Sequence, residues 1–322
     1  MPALLGLGLA ALGRPGYVTL NHSSELGGHY DPQVMEFRAH SVLDAALEGG
    51  IRYFDMARSY GRAEDFFASW LRKRGVAPGR LEIASKWGYT YTAGWSTSAE
   101  QHEIKDHSLA TFTRQLTESV DRLDGFLSRY QIHSVTADGK TLDDDALIDA
   151  IARLRERGIR PGLSVSGEGQ SVAIRRALEV RRDGERVFDS VQATWNLLER
   201  GAESALSEAC EAGMTVILKE VLANGRLTDA NRSQDEALYS QVARARKIAE
   251  REGTALELLA YAAAMERRFA DFVLTGAATV DQVTTAVVAQ NLGYTAQLDD
   301  QLREIAVSPA DYWRARSSFK CN

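Results

Sequence analysis

Cysteine is scarce in this sequence, in which Cys210 and Cys321 are the two cysteines among 322 residues. Two distant thiols build neither a disulfide framework nor a multi-cysteine metal site, so we expect no bound metal and a reducing compartment, the cytoplasm. Positive charge is also in deficit, because 38 lysine and arginine residues stand against 44 acidic ones and leave a net charge of -6. Without a basic surface, neither nucleic acid nor an anionic membrane is an expected partner.

Long apolar runs and linker-like segments are absent as well. The apolar start, residues 2–12, has no basic residue ahead of it and is far shorter than the roughly 20 residues that cross a bilayer. We interpret it as a first strand. No Pro/Ser-rich or low-complexity stretch divides the chain, so we expect residues 1–322 to form one domain.

Apolar runs of strand length alternate with stretches of helical periodicity along the chain, a pattern typical of a parallel sheet with crossover helices. The predicted strands cover residues 4–9, 51–55, 81–86, 128–133, 159–164, 190–194, 215–219 and 272–276. Helical patterns cover residues 34–47, 63–74, 109–123, 145–157, 172–181 and 203–212. Two more lie within residues 233–269, and a C-terminal helix or tail is predicted over residues 298–316.

Eight strand-helix units in a chain of this length predict an α/β fold, the (β/α)8 TIM barrel, which typically takes about 250 residues. In such barrels the active site lies at the C-terminal ends of the strands. Six polar residues fall at or near those ends, each on a different strand: Asp55, Lys86, His133, Ser164, Gln192 and Lys219. Their coincidence predicts one polar site at the mouth of the barrel.

Three of these residues, together with a tyrosine, predict a general-acid site. A phenol has a pKa near ~10, and a neighbouring ammonium lowers it. Lys86 is therefore expected to make Tyr60 a better proton donor. Asp55 would keep Lys86 charged, and His133 would hydrogen-bond a substrate carbonyl.

The segment HEIKDH resembles a zinc-binding pattern, but its spacing argues against one. Two ligands on one helix face need to be four residues apart, whereas His102 and His107 are five apart and would point in different directions. We therefore interpret these histidines and Glu103 as solvated.

Three motifs resemble those of the aldo-keto reductase superfamily, and the resemblance covers nearly the full length of the chain. FDMARSYG is similar to the family's Phe-Asp-Thr-Ala strand end followed by Tyr-Gly, while ASKWG and QIHS match its third and fourth strands. The resemblance implies a nicotinamide-dependent oxidoreductase that uses NADP(H), with NAD(H) as an alternative. It also implies a catalytic tetrad of Asp55, Tyr60, Lys86 and His133.

Further matches imply where the cofactor binds. GLSVSG and VQATWNLLER resemble the strands that hold the nicotinamide, LKEVLANGRLT resembles the loop that wraps the pyrophosphate, and VLTGAATVDQV resembles the adenosine site. The implied cofactor residues are Ser164, Gln192, Leu222, Asn224, Gly225, Arg226, Gly276, Ala277, Thr279 and Gln282. Lys219 replaces the family's nicotinamide-stacking aromatic residue, so we expect Trp195 or Trp87 to take that role. With Tyr89, these tryptophans are predicted to line the substrate pocket.

Three functions remain open at this stage. The first is reduction of a small aldehyde, ketone or sugar. The second runs the same site in the opposite direction, as an aldose or alcohol dehydrogenase. The third is a regulatory subunit that senses bound nucleotide, and the intact tetrad favours the two enzymes over it. In each enzyme the expected partner is a small carbonyl or alcohol.

Overall fold

Eight parallel strands close into a barrel in the computed structural model, which describes residues 2–17, 19–20, 27–123, 125–229, 231 and 238–319. The barrel strands are β1 (Leu4–Gly8), β2 (Tyr53–Asp55), β3 (Glu82–Trp87), β4 (Arg129–Val135), β5 (Arg160–Val165), β6 (Ser190–Thr194), β7 (Thr215–Lys219) and β8 (Phe272–Thr275). Each strand pairs with the next one along the chain, and β8 pairs with β1. The predicted TIM barrel is confirmed, and each predicted strand end is within two residues of the observed one.

Helices surround the barrel and follow its strands. In chain order they are α1 (Ala10–Gly13), α2 (Pro32–Glu48), α3 (Ala63–Arg74), α4 (Leu109–Leu123), α5 (Asp145–Ala152), α6 (Gln170–Glu179), α7 (Glu203–Glu211), α8 (Tyr239–Arg251), α9 (Leu256–Met265), α10 (Val280–Ala289), α11 (Ala296–Arg303) and α12 (Pro309–Ser317). Short 3-10 turns cover Thr141–Asp143, Arg153–Arg157 and Ala223–Gly225, and short antiparallel pairs join Tyr89–Tyr91 to Glu103–Lys105 and Arg181–Arg182 to Glu185–Arg186. No helix within these described ranges is long and apolar enough to cross a membrane.

The C-terminal pattern over residues 298–316 forms two helices rather than one. Pro309 occupies the first turn of α12, where its missing N–H is not needed, and the Ser308 hydroxyl accepts a hydrogen bond from the Asp311 N–H at 3.2 Å. The predicted helix over 145–157 likewise ends at Ala152 and continues as a 3-10 turn. Both patterns predicted within 233–269 are found as α8 and α9, while residues 233–237 and Cys321 lie outside the described residues.

The strand period of two places the polar residues at the barrel mouth. Inside the barrel a small apolar cluster consists of Tyr53, Ala84, Ile217 and Leu274. Side chains two residues apart on a strand face the same side, and the later one lies about 6.6 Å further along. Two residues beyond three members of this cluster come Asp55, Lys86 and Lys219. The apolar layer therefore supports a polar layer above it.

Candidate active site

A cavity of about 610 Å³ lies among the C-terminal ends of the barrel strands. Its volume is within the range of roughly 300–1,000 Å³ that is typical of small-molecule sites. The predicted residues on its wall are Asp55, Tyr60, Tyr89, His133, Gln192, Lys219, Leu222, Asn224, Gly225, Gly276, Ala277 and Gln282. Sequence reasoning missed other residues of the wall, which include Arg14, Tyr17, Glu103, Ser166, Glu220, Tyr261 and Arg316.

A buried ion pair between neighbouring strands forms the floor of the site. The Lys86 Nζ pairs with Asp55 Oδ1 and also donates to the Met56 carbonyl at 2.8 Å. The other oxygen of Asp55 accepts from the amides of Gln131 at 3.1 Å and Gln192 at 2.9 Å. Both charged side chains are at most 3% exposed. A buried pair is stable only when its remaining polar atoms are also bonded, and here they are.

Tyr60 lies between this pair and the cavity. Its hydroxyl is 3.5 Å from the His133 Nε2, and the Lys86 Nζ is 4.9 Å from the centroid of its ring. Burial, and then the Asp55 carboxylate, raise the pKa of Tyr60 well above its ordinary value. The net direction is therefore opposite to the one expected from Lys86 alone. Arg14, whose guanidinium is 5.7 Å from the ring centroid, is the cation that opposes the rise.

A local irregularity of β4 aims His133 into the cavity. The register of β4 against β5 shifts after Ile132, and Ser134 has a φ of 57°. Such bulges redirect a side chain at the end of a strand. The Ser134 N–H donates to the Ser164 Oγ at 2.8 Å and thereby holds the irregularity. Burial, more than the neighbouring lysines, lowers the pKa of His133 well below its ordinary value, so its imidazole is neutral at pH 7.

Ser164 does not line the cavity, which corrects its prediction as a nicotinamide ligand. Its side chain is fully buried, and its hydroxyl accepts the N–H of Ser134. Ser166, two residues further on and on the same side of the chain, lines the wall instead. The period of two puts both hydroxyls on one face, so sequence alone identified the right face and the wrong residue.

His107 is half-buried rather than solvated, which also corrects the sequence interpretation. Its Nε2 lies 2.8 Å from the His133 carbonyl, and its Nδ1 lies 2.8 Å from the Thr141 hydroxyl. A carbonyl oxygen can only accept, so Nε2 carries the proton and Nδ1 accepts from the threonine. Burial, and then the nearby charge of Lys105, lower the pKa of His107 to about 4. The neutral ring thus fastens the β3–α4 loop to the backbone of His133.

We expect this arrangement to make stability depend on pH. In the unfolded chain His107 would protonate near pH 6.5, whereas in the folded chain its pKa is about 4. Protons then bind preferentially to the unfolded state, so the free energy of unfolding falls as the pH decreases from 6.5 towards 4. For His107 alone, the free energy of unfolding should fall by about 1.5 kcal/mol between pH 6.5 and pH 5.

Urea titrations of the wild type and His107→Gln at those two pH values test this. The variant-minus-wild-type difference cancels the contributions of His133 and His40, whose pKa values are also lowered. Equal pH dependence in the two proteins would show that His107 is not kept neutral by folding.

Glu103 lines the cavity with a side chain that is 29% exposed, and its segment forms a strand of a short hairpin rather than a helix. Its carboxylate accepts from the Arg14 NH1 at 2.9 Å. Arg14 also donates to the Ser59 carbonyl at 3.1 Å and is 4% exposed. The pair joins the loop after β1 to the loop after β3, directly beside Tyr60. It gives the wall one donor group and one acceptor group close to the candidate proton donor.

The loop after β7 has an unusual backbone and borders the cavity. Positive φ angles occur at Glu220 (55°), Ala223 (47°), Asn224 (59°) and Gly225 (87°). Each non-glycine residue held in this region costs about 1 kcal/mol or more. The N–H groups of Ala223, Gly225 and Arg226 donate to carbonyl oxygens of the same loop at 2.8, 3.0 and 3.3 Å. Gly225 is required because its φ favours glycine and an added Cβ would meet Leu20 at 3.2 Å. The loop is therefore fixed by its own hydrogen bonds, and Leu222, Asn224 and Gly225 bring its backbone to the cavity wall.

The N-terminus of α10 closes the same end of the cavity. Gly276 and Ala277 line the wall, and a Cβ added to Gly276 would meet nothing within 4 Å. Gln282 is on the wall as well, and its Oε1 accepts from the Ala278 N–H at 2.7 Å. Thr279 is not on the wall, because it caps the helix by accepting from the Gln282 N–H at 3.3 Å. A helix N-terminus attracts anions, so this end fits a phosphate group.

Arg226 does not face the cavity, which corrects its prediction as a cofactor ligand. Its NH2 donates to the Ala315 carbonyl at 2.9 Å, and its guanidinium stacks 3.8 Å from the ring centroid of Phe319. It therefore fastens the C-terminal helix α12 to the barrel. The basic residue of α12 that does line the wall is Arg316, which pairs with Glu220 at 3.0 Å.

The two predicted tryptophans lie in the core and not on the cavity wall. Trp87 is 1% exposed and packs edge-on against Phe112, with 5.0 Å between ring centroids. Trp195 is fully buried and donates from Nε1 to Glu203 at 3.0 Å. Neither can stack on a ligand in the cavity. Tyr89 does line it, with its ring centroid 5.0 Å from that of His133.

Comparison with known proteins matches residues 5–306 to the model of the aldo/keto reductase family. Pyridoxal 4-dehydrogenase of Microbacterium luteolum is 29% identical over 252 residues, 67% of this chain and 71% of that protein. Protein tas of Escherichia coli is 26% identical over 323 residues, which cover 86% of this chain and 90% of that protein. The solved aldo-keto reductase AKR11C1 from Bacillus halodurans, in its holo form, shares the fold with a TM-score of 0.72 at 23% identity, covering 94% of this chain and 92% of that one.

Proposed function

This chain belongs to the aldo/keto reductase family, and we propose that it reduces the carbonyl group of an aldehyde, ketone or sugar with Tyr60 as the proton donor. The cofactor in this proposal is NADP(H), with NAD(H) also accepted. The observation that carries it is the contact of the Tyr60 hydroxyl with His133, 3.5 Å apart on the cavity wall, backed by the buried pair of Lys86 and Asp55. A phenol and an imidazole that face one cavity can share a carbonyl oxygen.

The proposed chemistry assigns one task to each side chain. Bound reduced nicotinamide supplies the hydride. Tyr60 gives its proton to the carbonyl oxygen as negative charge develops there, and it is available to do so because its raised pKa keeps it protonated at neutral pH. His133, neutral for the reason given above, orients that oxygen. Lys86, paired with Asp55 and 4.9 Å from the ring centroid of Tyr60, steadies the phenolate that remains after the transfer.

The wall around these residues supports a polar substrate. Arg14 and Glu103 place a cation and a carboxylate beside Tyr60, and Tyr89 adds an aromatic surface. A hydroxylated aldehyde or ketone could donate to the carboxylate and accept from the guanidinium. Oxidation is the second candidate, because Tyr60 can also act as a base and the relative from Microbacterium luteolum is a dehydrogenase by name.

An absorbance assay tests the proposal directly. Purified protein is titrated with NADPH and NADH, and oxidation of the reduced nicotinamide is then followed with a panel of aldehydes, ketones and sugars. The reverse reaction is followed with the corresponding alcohols and aldoses. Binding without turnover of any substrate in either direction would favour the nucleotide-sensing role over catalysis. Binding of neither nucleotide would contradict both.

We expect the preference for NADPH over NADH to be modest. Arg226, in the loop after β7, and Arg316, on the cavity wall, are already engaged with α12 and Glu220. A charged bidentate contact to phosphate is worth about 1.5 to 3 kcal/mol, roughly ten- to a hundredfold. Gln282→Arg places a cation on the cavity wall and should widen the preference by about tenfold. Thr284→Arg, an exposed position of the same helix, is the matched control.

Dissociation constants for both nucleotides measure this preference. A preference above roughly a thousandfold in the unmodified protein would exceed one such contact and contradict the expectation. An equal gain in the two variants would show that overall charge, and not position on the wall, sets the preference.

A further inference from the structure

Lys219, the last residue of β7, lines the candidate active site without a part in the proposed proton transfer. Its Nζ donates to the Thr194 hydroxyl at 3.0 Å. In the part of the chain that the structure describes, Lys219 belongs to no ion pair, whereas Lys86 on the opposite side of the barrel is paired with Asp55. Among the described residues of the cavity wall, Lys219 is therefore a lysine without a carboxylate as a direct partner.

The carboxylates near Lys219 are committed elsewhere. Glu220 is held by Arg316 at 3.0 Å, and Asp55 is held by Lys86. Burial lowers the pKa of Lys219, although Glu220 raises it. Lys219 in turn contributes to the lowered pKa of His133. Lys219 and His133 line the same cavity, so a positive charge on Lys219 would face the space in which a substrate lies.

We propose that Lys219 makes this cavity hold the neutral, reduced nicotinamide ring more tightly than the cationic, oxidised ring. The inference rests on the proposed function, because it requires that cofactor in this cavity. Two unit positive charges about 6 to 10 Å apart, at an effective dielectric constant of about 20, repel by an energy equivalent to roughly ten- to a hundredfold in affinity. The reduced ring carries no charge and escapes this repulsion.

The proposal also bears on the direction of the reaction. If the cavity binds the neutral ring more tightly, the equilibrium between bound oxidised and bound reduced cofactor shifts towards the reduced form. The weaker binding of the oxidised cofactor also speeds its release after carbonyl reduction. The phosphates and adenosine are the same in both oxidation states. Their contribution to binding therefore cancels in the ratio of the two dissociation constants, which isolates the effect of charge at the ring.

Calorimetric titration with NADP+ and NADPH at pH 7 tests the proposal in four proteins: the wild type, Lys219→Met, Lys219→Arg and Lys247→Met. Lys247 is exposed on α8, so its variant removes the same charge away from the cavity. We expect the ratio of the NADP+ to the NADPH dissociation constant to fall by about tenfold or more in Lys219→Met. It should be preserved in Lys219→Arg, whose charge is permanent, and in Lys247→Met.

Two other results would overturn the proposal: a ratio in Lys219→Met within twofold of the wild type, or the same fall in Lys219→Arg. Lys219→Gln, which keeps an N–H donor for Thr194, replaces the methionine variant if that protein does not fold. Failure of the wild type to bind either nucleotide would instead refute the proposed function, so the two failures are distinguishable.

Discussion

Tyr60→Phe should reduce turnover of a carbonyl substrate by about 10²- to 10⁴-fold, the range expected for loss of a general acid. The substitution removes the hydroxyl that faces His133 at 3.5 Å and keeps the ring. Nucleotide affinity should stay near that of the wild type, because the phosphate end of the cavity is formed by the loop after β7 and by α10. Steady-state kinetics and nucleotide titration of the same preparation measure the two quantities.

Tyr89→Phe provides the comparison for that experiment. It also removes a phenolic hydroxyl from the cavity wall next to His133, but it leaves the proposed proton donor in place. Its effect on kcat should be smaller than that of Tyr60→Phe by at least tenfold. If both variants lose turnover equally, or if Tyr60→Phe retains it, the proton donor is a different residue.

The barrel and the positions of its polar layer follow from short-range patterns in the sequence. Alternation of strand and helix patterns predicts the fold, and the positions of Asp55, Lys86 and Lys219 at the C-terminal ends of their strands predict that they lie at the mouth of the barrel. These inferences need no knowledge of how distant loops meet. For that reason the strands are correctly placed to within two residues.

The remaining features depend on contacts between distant segments. Arg14 and Glu103 are 89 residues apart, and no local pattern indicates that their loops form an ion pair beside Tyr60. The pKa of Tyr60 is raised where the sequence predicted that it would be lowered, and the reason is the same. This pKa depends on burial and on Asp55, which distant segments bring together. Arg226 illustrates the opposite error. Its place in the motif predicted a cofactor contact, but its side chain donates to the Ala315 carbonyl of the C-terminal helix instead.

Lys86→Met should cost both activity and stability. The variant leaves the Asp55 carboxylate buried with only the amides of Gln131 and Gln192 as partners. Removing one member of a buried pair typically costs about 3 to 5 kcal/mol. The uncompensated carboxylate would also raise the pKa of Tyr60 further and make it a weaker acid. We therefore expect a loss of turnover at least as large as that of Tyr60→Phe, with a lower urea midpoint.

The double variant Lys86→Met/Asp55→Asn separates these two effects. The neutral amide of the introduced asparagine can still accept from Gln131 and Gln192, so no charge is left buried. At least half of the free energy of unfolding that Lys86→Met loses should therefore return. Turnover should not return, because the charge that steadies the Tyr60 phenolate is still missing. Urea titrations of the wild type, both single variants and the double variant give the coupling energy between Asp55 and Lys86. A coupling energy near zero would mean that the pair does not stabilise the fold, and recovery of turnover in the double variant would mean that Lys86 serves Tyr60 only by neutralising Asp55.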